Sequence, residues 1–397
     1  MKTLIVSFYY FPEIGAAPSR ISNMAEGLQH GGFDVDVLTC LPNYPKGHIF
    51  EEYRRLLYKK ETINGINVYR YWTYATISKN RLARIISMLS FALAIWFFGF
   101  RFLTIRKYER VIIQSPPILV SFSAMLLFRC LYRKTTILNV SDLWPLSAVE
   151  LGAIKENGEY HRLLKWIERF LYKHASAYQG QSLEIINHID GFEYNRPSFL
   201  YRNLQPQTEI YIPQIDDRRV FKIVYAGLLG VAQDILGIVQ HINFKEIGAE
   251  LHIFGGGNQA QEIQKYAEDH DRGVYFHGYQ PKSIVNDALG HYHASIVPLS
   301  VRIKGAVPYK IFDLLPHGTP ILFAGGGEGE EIVNNYHIGF VSPPGNYHSL
   351  EENILKVKHL SNDQYMQMRN ACLDASKRDF SFFYQMDRYI NFIKSLS

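Results

Sequence analysis

The sequence predicts an α/β protein with two doubly wound parallel-sheet domains. The chain has 397 residues, of which 47% are apolar, so it is too long for one ordinary hydrophobic core. Strand-like and helix-like segments alternate, as they do in parallel β-α-β units. The alternation stops in a polar stretch, 203–219, and then begins again. We therefore predict domains over 1–203 and 204–378, and a terminal helix, 379–397, that packs back on the first domain.

The elements of the first domain follow from hydrophobic patterning. The start is a buried strand and not a signal peptide, because "FPEIG" stands where a small-residue cleavage site would be. Further apolar runs predict strands at "DVDVLTC", "RVIIQS" and "TTILNVS". Helical patterns lie between them, at "APSRISNMAEGLQHGG", "PPILVSFSAMLLFRCLYR" and "YHRLLKWIERFLYKHA".

The second domain repeats the pattern. Strands are predicted at "VFKIVYAG", "AELHIF", "GVYFHGY", "ASIVPLS" and "TPILFAGG", and helices at "NQAQEIQKYAED" and "YKIFDLLPHG", the latter ending on a glycine. Ligands of open α/β sheets bind outside the carboxyl ends of the strands. We therefore expect the active site in a cleft between two facing domains.

Positive charge and apolar sequence coincide in one part of the first domain. Between Glu51 and Arg110, twelve basic residues oppose four acidic ones, and the sixteen residues from Ile85 to Phe100 carry no charge. This run is short for a membrane span of about 20 residues. A buried core helix and a partly exposed membrane-docking helix both fit. The basic surroundings favour a docking segment over 81–107, because anionic lipid attracts such residues.

Three glycine-containing loops follow predicted strands. They are "FPEIGAAPSR" with Gly15, "YAGLLGVAQD" with Gly227 and Gly230, and "FGGGN" with Gly256. Small residues let backbone N–H groups and a helix N-terminus approach a phosphate. Ordinary strand-helix turns are the alternative.

Two charged side chains are predicted to share a helix face in the second domain. Lys310 and Asp313 are spaced i, i+3, so the lysine could neutralise a diphosphate while the aspartate accepts hydrogen bonds from ribose hydroxyls. A weak surface salt bridge is the alternative. Glu328, Glu330 and Glu331 follow three glycines, where a helix N-terminus favours carboxylates.

Asp142 lies at the end of a predicted buried strand, in "VSDLWP". A carboxylate there is costly unless it has a partner or a task. Capping of the next helix is the simpler explanation.

Several classes of function are excluded. No metal-ligand spacing is present, and the three cysteines Cys40, Cys130 and Cys372 are far apart, so we expect no metal, no disulfide framework and a reducing compartment. There is no G-x-S-x-G and no G-x-G-x-x-G with its acidic partner. The basic region is interleaved with aliphatic residues, so nucleic acid is a poor fit.

In their order and combination these motifs resemble a known family. "NYPKG", "QSPP", "SDLWP", "YAGLLGVAQ" and "VPYKIFDLLPHGTPIL" run over nearly the whole chain and resemble the retaining GT-B glycosyltransferases that include O-antigen, capsule and exopolysaccharide enzymes, the fucosaminyltransferase branch above all. The resemblance implies an N-terminal acceptor domain and a C-terminal nucleotide-sugar domain. It also implies retaining, metal-independent transfer of an N-acetylated amino- or deoxy-sugar from a UDP-linked donor to a lipid-linked saccharide, with no cofactor.

The resemblance also implies roles for individual residues. Asp142 and Lys310 would be catalytic, and the acceptor side would comprise Arg20, Asn43, Tyr44, Lys46 and Trp144. The donor would be held by Gly15, Gly227, Gly230, Gln233, Gly256, Tyr279, Pro281, Lys310, Asp313 and Glu328. One family glutamate falls on Gly305 and is missing, so Glu328 or Glu330 is a candidate for contact with the sugar. The family's Arg/Lys pair for the diphosphate is also absent, which leaves Lys310 for that task.

The docking segment implies an enzyme held on the inner face of the cell membrane. In this interpretation Ile95, Trp96 and Phe97 face the lipid. Two other functions stay open. A nucleotide-sugar epimerase of the same fold needs no acceptor or membrane surface, and a non-catalytic relative would explain the missing carboxylate.

Overall fold

The chain folds as two compact units in this computed structural model, which describes residues 1–78, 80–100, 105–206 and 218–396. Unit 1 comprises Met1–Asn203 and Phe383–Ser397, and unit 2 comprises Leu204–Phe382. Each unit is a sheet flanked by helices, so the α/β prediction is confirmed. Residues 379–382, which the sequence assigns to the returning segment, lie with unit 2.

The sheet of unit 1 has eight strands in the order β3-β4-β2-β1-β5-β6-β7-β8, and its pairings are parallel except for the β3–β4 hairpin. The strands are β1 Lys2–Val6, β2 Asp34–Cys40, β3 Tyr58–Ile63, β4 Ile66–Tyr71, β5 Arg110–Ser115, β6 Thr135–Val140, β7 Ala177–Gly180 and β8 Ser198–Leu200. The helices are α1 Ala16–His30, α2 Arg81–Gly99, α3 Ile118–Ala124, which continues as a π-helix over Met125–Leu131, α4 Leu146–Glu150, α5 Glu159–His174 and α6 Leu183–Asp190.

Burial explains why the central strands read as apolar runs. Every residue of β5 is buried, since a parallel strand in the middle of the sheet is covered on both faces. The outer strands β3, β4 and β8 do not stand out in the sequence, because they are short or alternate with charged residues.

The sheet of unit 2 is parallel throughout, in the order β11-β10-β9-β12-β13-β14. Its strands are β9 Phe221–Ala226, β10 Ala249–Phe254, β11 Val274–Gly278, β12 Ala294–Pro298, β13 Ile321–Ala324 and β14 Gly339–Ser342. Its helices are α7 Ile235–His241, α8 Ala260–Asp269, α9 Lys282–Leu289, α10 Lys310–Leu314, α11 Glu328–Asn335, α12 Tyr347–His359 and α13 Asn362–Arg378. The carboxyl ends of the parallel strands therefore meet along one edge of this sheet.

The final helix, α14 Phe382–Ser395, packs on unit 1 beside β8. Gln385 accepts a hydrogen bond from the backbone N–H of Arg202 at 2.8 Å and donates one to the carbonyl of Arg202 at 3.0 Å. The Tyr389 ring lies 5.2 Å from the ring of Phe199 and 4.8 Å from the ring of Tyr201. The helix thus covers the edge that β8 would otherwise expose.

Helix α2 carries the charge-free segment, and it is apolar on both faces. One face is core, with Phe91, Ile95 and Phe98 fully buried. By length and composition the stretch Leu82–Gly99 could cross a membrane, with mean hydropathy 1.8, but 39% of it is buried in the fold. The expectation that Ile95 faces lipid is wrong, because its side chain points into the core of unit 1.

Candidate functional site

Three loops of unit 2 are joined by backbone hydrogen bonds at the carboxyl ends of β9, β10 and β11. The N–H of Gly227 donates to the carbonyl of Phe254 at 2.8 Å, and the N–H of Gly255 donates to the carbonyl of Gly278 at 2.8 Å. A third bond, 2.9 Å long, runs from the N–H of Leu229 to the carbonyl of Gly256. The loops therefore form one continuous backbone surface at the edge where ligands of such sheets bind.

Two of the glycines in "FGGGN" are required by this close approach. A Cβ at Gly255 would collide with the carbonyl oxygen of Gly227, and a Cβ at Gly257 would collide with that of Leu229. Both also have positive φ, at +155° and +154°, a conformation that side chains disfavour. The glycines thus let the first loop lie directly on the second.

Lys310 lies against the first of these loops. Its ammonium nitrogen is 3.9 Å from the centre of the Tyr225 ring, and a Cβ at Gly227 would collide with it. Within the described residues it makes no hydrogen bond or ion pair. Burial lowers the pKa of Lys310 to about 7, and Asp313 opposes that shift. The amine is therefore available to an anion.

Asp313 follows one turn later on α10. Its Oδ1 is buried and has no hydrogen-bond partner in the described part of the chain. Burial raises the pKa of Asp313 to about 6, against the attraction of Lys282 and Lys310. The described residues form no salt bridge between Asp313 and Lys310, so the simple surface-pair alternative is not what the structure shows. An unpaired carboxylate oxygen fits a hydroxyl donor, because a buried acceptor is costly to leave unsatisfied.

The other predicted donor-side residues of unit 2 follow the strands β9, β11 and β13. Gly230 faces the side chain of Gln233, whose Oε1 is buried and has no partner among the described residues. Tyr279 is exposed, and Pro281 precedes α9. Glu328 is buried at the first position of α11. Lys282 is a cation of this region that the sequence reasoning did not select, although it follows Pro281 directly.

Two positions concern the carboxylate that the family resemblance leaves unfilled: Glu330 is a candidate replacement, and Gly305 is the position where the carboxylate is missing. Glu330, like Glu331, is in the first turn of α11. A Cβ at Gly326 would lie 3.5 Å from Arg302 and 3.7 Å from a Glu330 carboxylate oxygen, so these two side chains approach the same glycine. Gly305 is buried, with a φ of +82°, and has no side chain to replace the family glutamate.

In unit 1, Glu13, which was not among the residues predicted from the sequence, joins the loop after β1 to the loop after β2. The carboxylate of Glu13 accepts hydrogen bonds from the backbone N–H groups of Tyr10 at 3.1 Å, Asn43 at 2.9 Å and Tyr44 at 2.8 Å. Burial raises the pKa of Glu13, and the three N–H groups oppose the shift. The loop after β1 is thereby fixed to the loop after β2.

The predicted acceptor residues of this second loop differ in exposure. Asn43 is buried, and its amide donates to the carbonyl of Leu41 at 3.0 Å, so it supports the loop. Tyr44 is partly exposed and packs near Gly15, where a Cβ would be 3.2 Å from the Tyr44 ring. Lys46 is exposed, with its ammonium 5.2 Å from the centre of the Phe50 ring.

Arg20 does not reach out from α1 as the sequence reasoning expected. Its side chain is 3% exposed. It donates to Asn139 Oδ1 at 2.8 Å, to the Tyr201 carbonyl at 3.0 Å and to Gln181 Oε1 at 3.1 Å. The buried side chain thus holds Asn139 of β6, and the residues directly after β7 and β8, to α1.

Asp142 lies just after β6, and it is not the cap of the following helix. Helix α4 begins at Leu146, and Pro145 is its N-cap. Burial raises the pKa of Asp142 to about 6. Trp144 packs on the core of unit 1. A raised pKa at a strand end is typical of a carboxylate with a chemical task, although buried structural groups show it too.

The described residues contain no cluster of three or more His, Cys, Asp or Glu side chains that could hold a metal ion. Cys40, Cys130 and Cys372 are free thiols. Metal independence and the absence of a cofactor stay predictions.

The two halves of the chain match two protein families. Residues 15–185 match the glycosyl transferase 4-like domain, and residues 222–359 match the glycosyl transferases group 1. Each match falls within one of the two units.

Two individual relatives bear the names of glycosyltransferases, and a solved structure has a similar fold. The chain is 26% identical over 259 residues to the probable glycosyltransferase WbjE of Pseudomonas aeruginosa, covering 60% of this chain and 63% of WbjE. It is 30% identical over 153 residues to WcaI of Escherichia coli strain K12, a putative colanic acid biosynthesis glycosyl transferase, covering 38% of this chain and 37% of WcaI. It therefore spans less than two thirds of the length of either relative. The fold is similar to that of Anabaena HepE in complex with UDP and glucose, with a TM-score of 0.68, 10% identity and full coverage of both chains.

Proposed function

We propose that this chain is a GT-B glycosyltransferase that transfers a sugar from a nucleoside-diphosphate donor to a lipid-linked saccharide. The matches to the glycosyl transferase 4-like domain and to the glycosyl transferases group 1 support this proposal. The product would belong to a bacterial surface polysaccharide such as O-antigen, capsule or lipopolysaccharide. The similarity to WcaI, a putative colanic acid biosynthesis glycosyl transferase, supports a role in the synthesis of a surface polysaccharide. The donor is a UDP-linked, N-acetylated amino- or deoxy-sugar. HepE, which has a similar fold and was solved with UDP and glucose, supports uracil as the base of the donor nucleotide.

One observation carries the donor half of this proposal. Lys310 and Asp313 share a face of α10 beside the glycine loops, and neither finds a hydrogen-bond or ion-pair partner among the described side chains. The ammonium would neutralise the diphosphate, and Asp313 would accept hydrogen bonds from the ribose hydroxyls. The backbone N–H groups of the loops supply further donors for phosphate oxygens. A lysine in this place supports transfer without a metal ion.

Asp142 is the residue of unit 1 that we assign to the chemical step. With a pKa of about 6, most of its carboxyl groups are ionised at pH 7. A carboxylate stabilises the positive charge of an oxocarbenium-like transition state, or it takes the proton of the attacking hydroxyl as a general base. We infer retention of configuration, as in the family that the motifs resemble, and Trp144 and Tyr44 are then candidates for contact with the acceptor.

We further propose that the enzyme is peripheral on the inner face of the cell membrane. The outer face of α2 supports this, since Leu82, Ile86, Leu93 and Phe97 are all more than half exposed. A helix that exposes apolar side chains in basic surroundings favours the interface between lipid and water. A lipid-linked acceptor would be reached from that position.

The donor site is tested by thermal unfolding with UDP, GDP, CMP and NAD. A ligand at 100 times its Kd adds about 2.7 kcal/mol of stability. We expect UDP to stabilise the wild type but not Lys310→Ala or Asp313→Ala. Lys265→Ala and Glu268→Ala are matched controls, because they are also spaced i, i+3 on a helix of unit 2, and both are exposed; they should keep the UDP shift.

The outcomes separate the three functions. Stabilisation by GDP alone would show that the donor carries guanine instead of uracil, and the assignment as a transferase would stand. UDP binding with conversion of a UDP-sugar in the absence of any acceptor would favour an epimerase. No stabilisation by any nucleotide, and no slow hydrolysis of a nucleotide-sugar, would contradict the proposal and favour a non-catalytic relative.

A further inference from the structure

Helix α5 carries a second exposed apolar strip on unit 1. Leu163 and Trp166 are 51% and 55% exposed, and Phe170 beside them is half-buried. The opposite face of α5 is core, with Leu164, Ile167 and Leu171 buried. The helix is therefore apolar on its inner face and again on part of its outer face, as α2 is.

The two strips are joined across α3. The indole N–H of Trp96 on α2 donates to Ser123 Oγ on α3 at 3.0 Å. The neighbouring ring, Phe122, lies 5.6 Å from the Trp166 ring and 5.0 Å from the Phe170 ring. The two tryptophans thus contact adjacent residues of one intervening helix, and an apolar surface runs from α2 over α3 to α5.

Four cations border this surface. Arg162, Lys165, Arg169 and Lys173 are exposed and recur every three or four residues, so they form one stripe along α5. None of the four makes an ion pair with any described residue. The two glutamates of the helix lie elsewhere, with Glu159 at its start and Glu168 buried. The stripe follows directly beside Trp166 and Phe170 on the helical wheel.

We propose that α2, α3 and α5 together form a docking surface for an anionic bilayer, which we call the three-helix surface. The inference rests on the peripheral membrane association proposed above, and extends it to α5. Unpaired cations beside an apolar strip fit anionic headgroups over acyl chains, and tryptophans favour that interface. A second copy of the chain fits less well, because pairing this face with itself would bring the four cations toward four others.

Trp166 offers a direct test of contact with lipid. The chain has four tryptophans, and a variant with Trp72→Phe, Trp96→Phe and Trp144→Phe keeps Trp166 alone. Its fluorescence is measured with vesicles of phosphatidylcholine, with and without phosphatidylglycerol, that carry brominated acyl chains. We expect strong quenching with the anionic vesicles and little with the neutral ones. Trp166 emission unchanged by bound anionic vesicles would overturn the assignment of α5.

Paired charge removals test the role of the cations. Arg162→Gln with Arg169→Gln removes two cations of the stripe, and Arg388→Gln with Lys394→Gln removes two exposed cations from α14 of the same unit. At about a fivefold effect per cation, the first pair should weaken binding to anionic vesicles by about 25-fold, and the control pair should not. Equal effects of the two pairs would show that net charge alone attracts the protein, which contradicts a defined surface.

Two further readouts keep the conclusions separate. Stabilisation by UDP should be the same in the two charge-removal pairs as in the wild type, so loss of vesicle binding with intact UDP binding concerns the surface and not the transferase. A dimer in sedimentation experiments that Trp166→Ser dissociates would overturn the proposal, because the face would then be covered by a second copy.

Discussion

The pH dependence of nucleotide binding follows from the lowered pKa of Lys310. With a pKa of about 7, the amine is half protonated at pH 7 and about one per cent protonated at pH 9. If the diphosphate requires the ammonium form, the Kd for UDP scales as one plus the ratio of neutral to charged lysine. That factor is about 2 at pH 7 and about 100 at pH 9, so affinity should fall by about 50-fold, or about 2.3 kcal/mol.

The two other charged groups of the proposed contact stay nearly constant in this window. Asp313, with a pKa of about 6, is mostly ionised at pH 7 and remains so above it. A terminal phosphate, whose second pKa is about 6, is also mostly ionised. A fall in affinity from pH 7 to pH 9 therefore reports on the amine.

The stability of the unliganded protein should change in the opposite direction. The folded pKa lies below the ordinary value of 10.5, so the unfolded state binds more protons between about pH 7 and 10.5. The contribution of Lys310 to the free energy of unfolding consequently rises with pH across that window. Lys310→Gln removes the titration, and its stability should rise less over the same range.

Isothermal titration calorimetry with UDP at pH 7, 8 and 9 measures the effect. Lys310→Gln should bind weakly at all three values, and Lys310→Arg should show little slope because its guanidinium stays charged. A wild type whose Kd is unchanged from pH 7 to pH 9, or a Lys310→Arg variant with the same slope as the wild type, would refute the assignment of Lys310 to the diphosphate.

Three further variants test other parts of the structure. Gly227→Ala should abolish the thermal shift caused by UDP, because its Cβ displaces the Lys310 ammonium. The control Gly345→Ala, at a φ of +69° with open space around it, should lose about 1–2 kcal/mol of stability and keep the UDP shift. Equal UDP shifts in the two variants would contradict the contact between Gly227 and Lys310. Glu13→Gln removes one acceptor oxygen from three N–H donors and should cost about 1–3 kcal/mol in denaturant unfolding with UDP binding unchanged; an unaltered unfolding midpoint would show that the loops hold without it. Phe97 and Phe98 are adjacent, but the side chain of Phe97 is 64% exposed and that of Phe98 is fully buried. Phe97→Ser should therefore release the protein from vesicles at unchanged stability, and Phe98→Ser should lower the free energy of unfolding by about 3–5 kcal/mol. The reverse result would place the opposite face of α2 in the core.

The sequence sufficed for the elements and groups that depend on local pattern. Periodicity predicts the two sheets because each buried strand is an apolar run and each helix repeats its apolar positions. The i, i+3 spacing predicts that Lys310 and Asp313 share a helix face, since one helical turn fixes that relation. The glycine loops can also be predicted from the local sequence. Only glycine tolerates the backbone angles and the close approach that the structure shows at Gly255 and Gly257.

What the sequence could not reveal depends on contacts between distant segments. Arg20 looks the same in sequence whether it points outward or into the sheet, and its burial is set by acceptors more than 100 residues away. Glu13 lies in a loop with no periodicity, and its three N–H donors include two from another loop. Its surroundings are visible only once β1 and β2 are neighbours.

The three-helix surface of unit 1 likewise depends on contacts between distant segments. Counting charges in the sequence draws attention to the region from Glu51 to Arg110, which includes α2, because twelve cations gather there. The cations of α5 escape that count, since they alternate with apolar residues as in any amphipathic helix. Only the contacts of α3 with Trp96 on one side and Trp166 on the other show that the two helices present one surface. If that surface binds lipid, variants on α2 and α5 should weaken binding more than additively when combined, because the first helix to bind holds the second at high effective concentration.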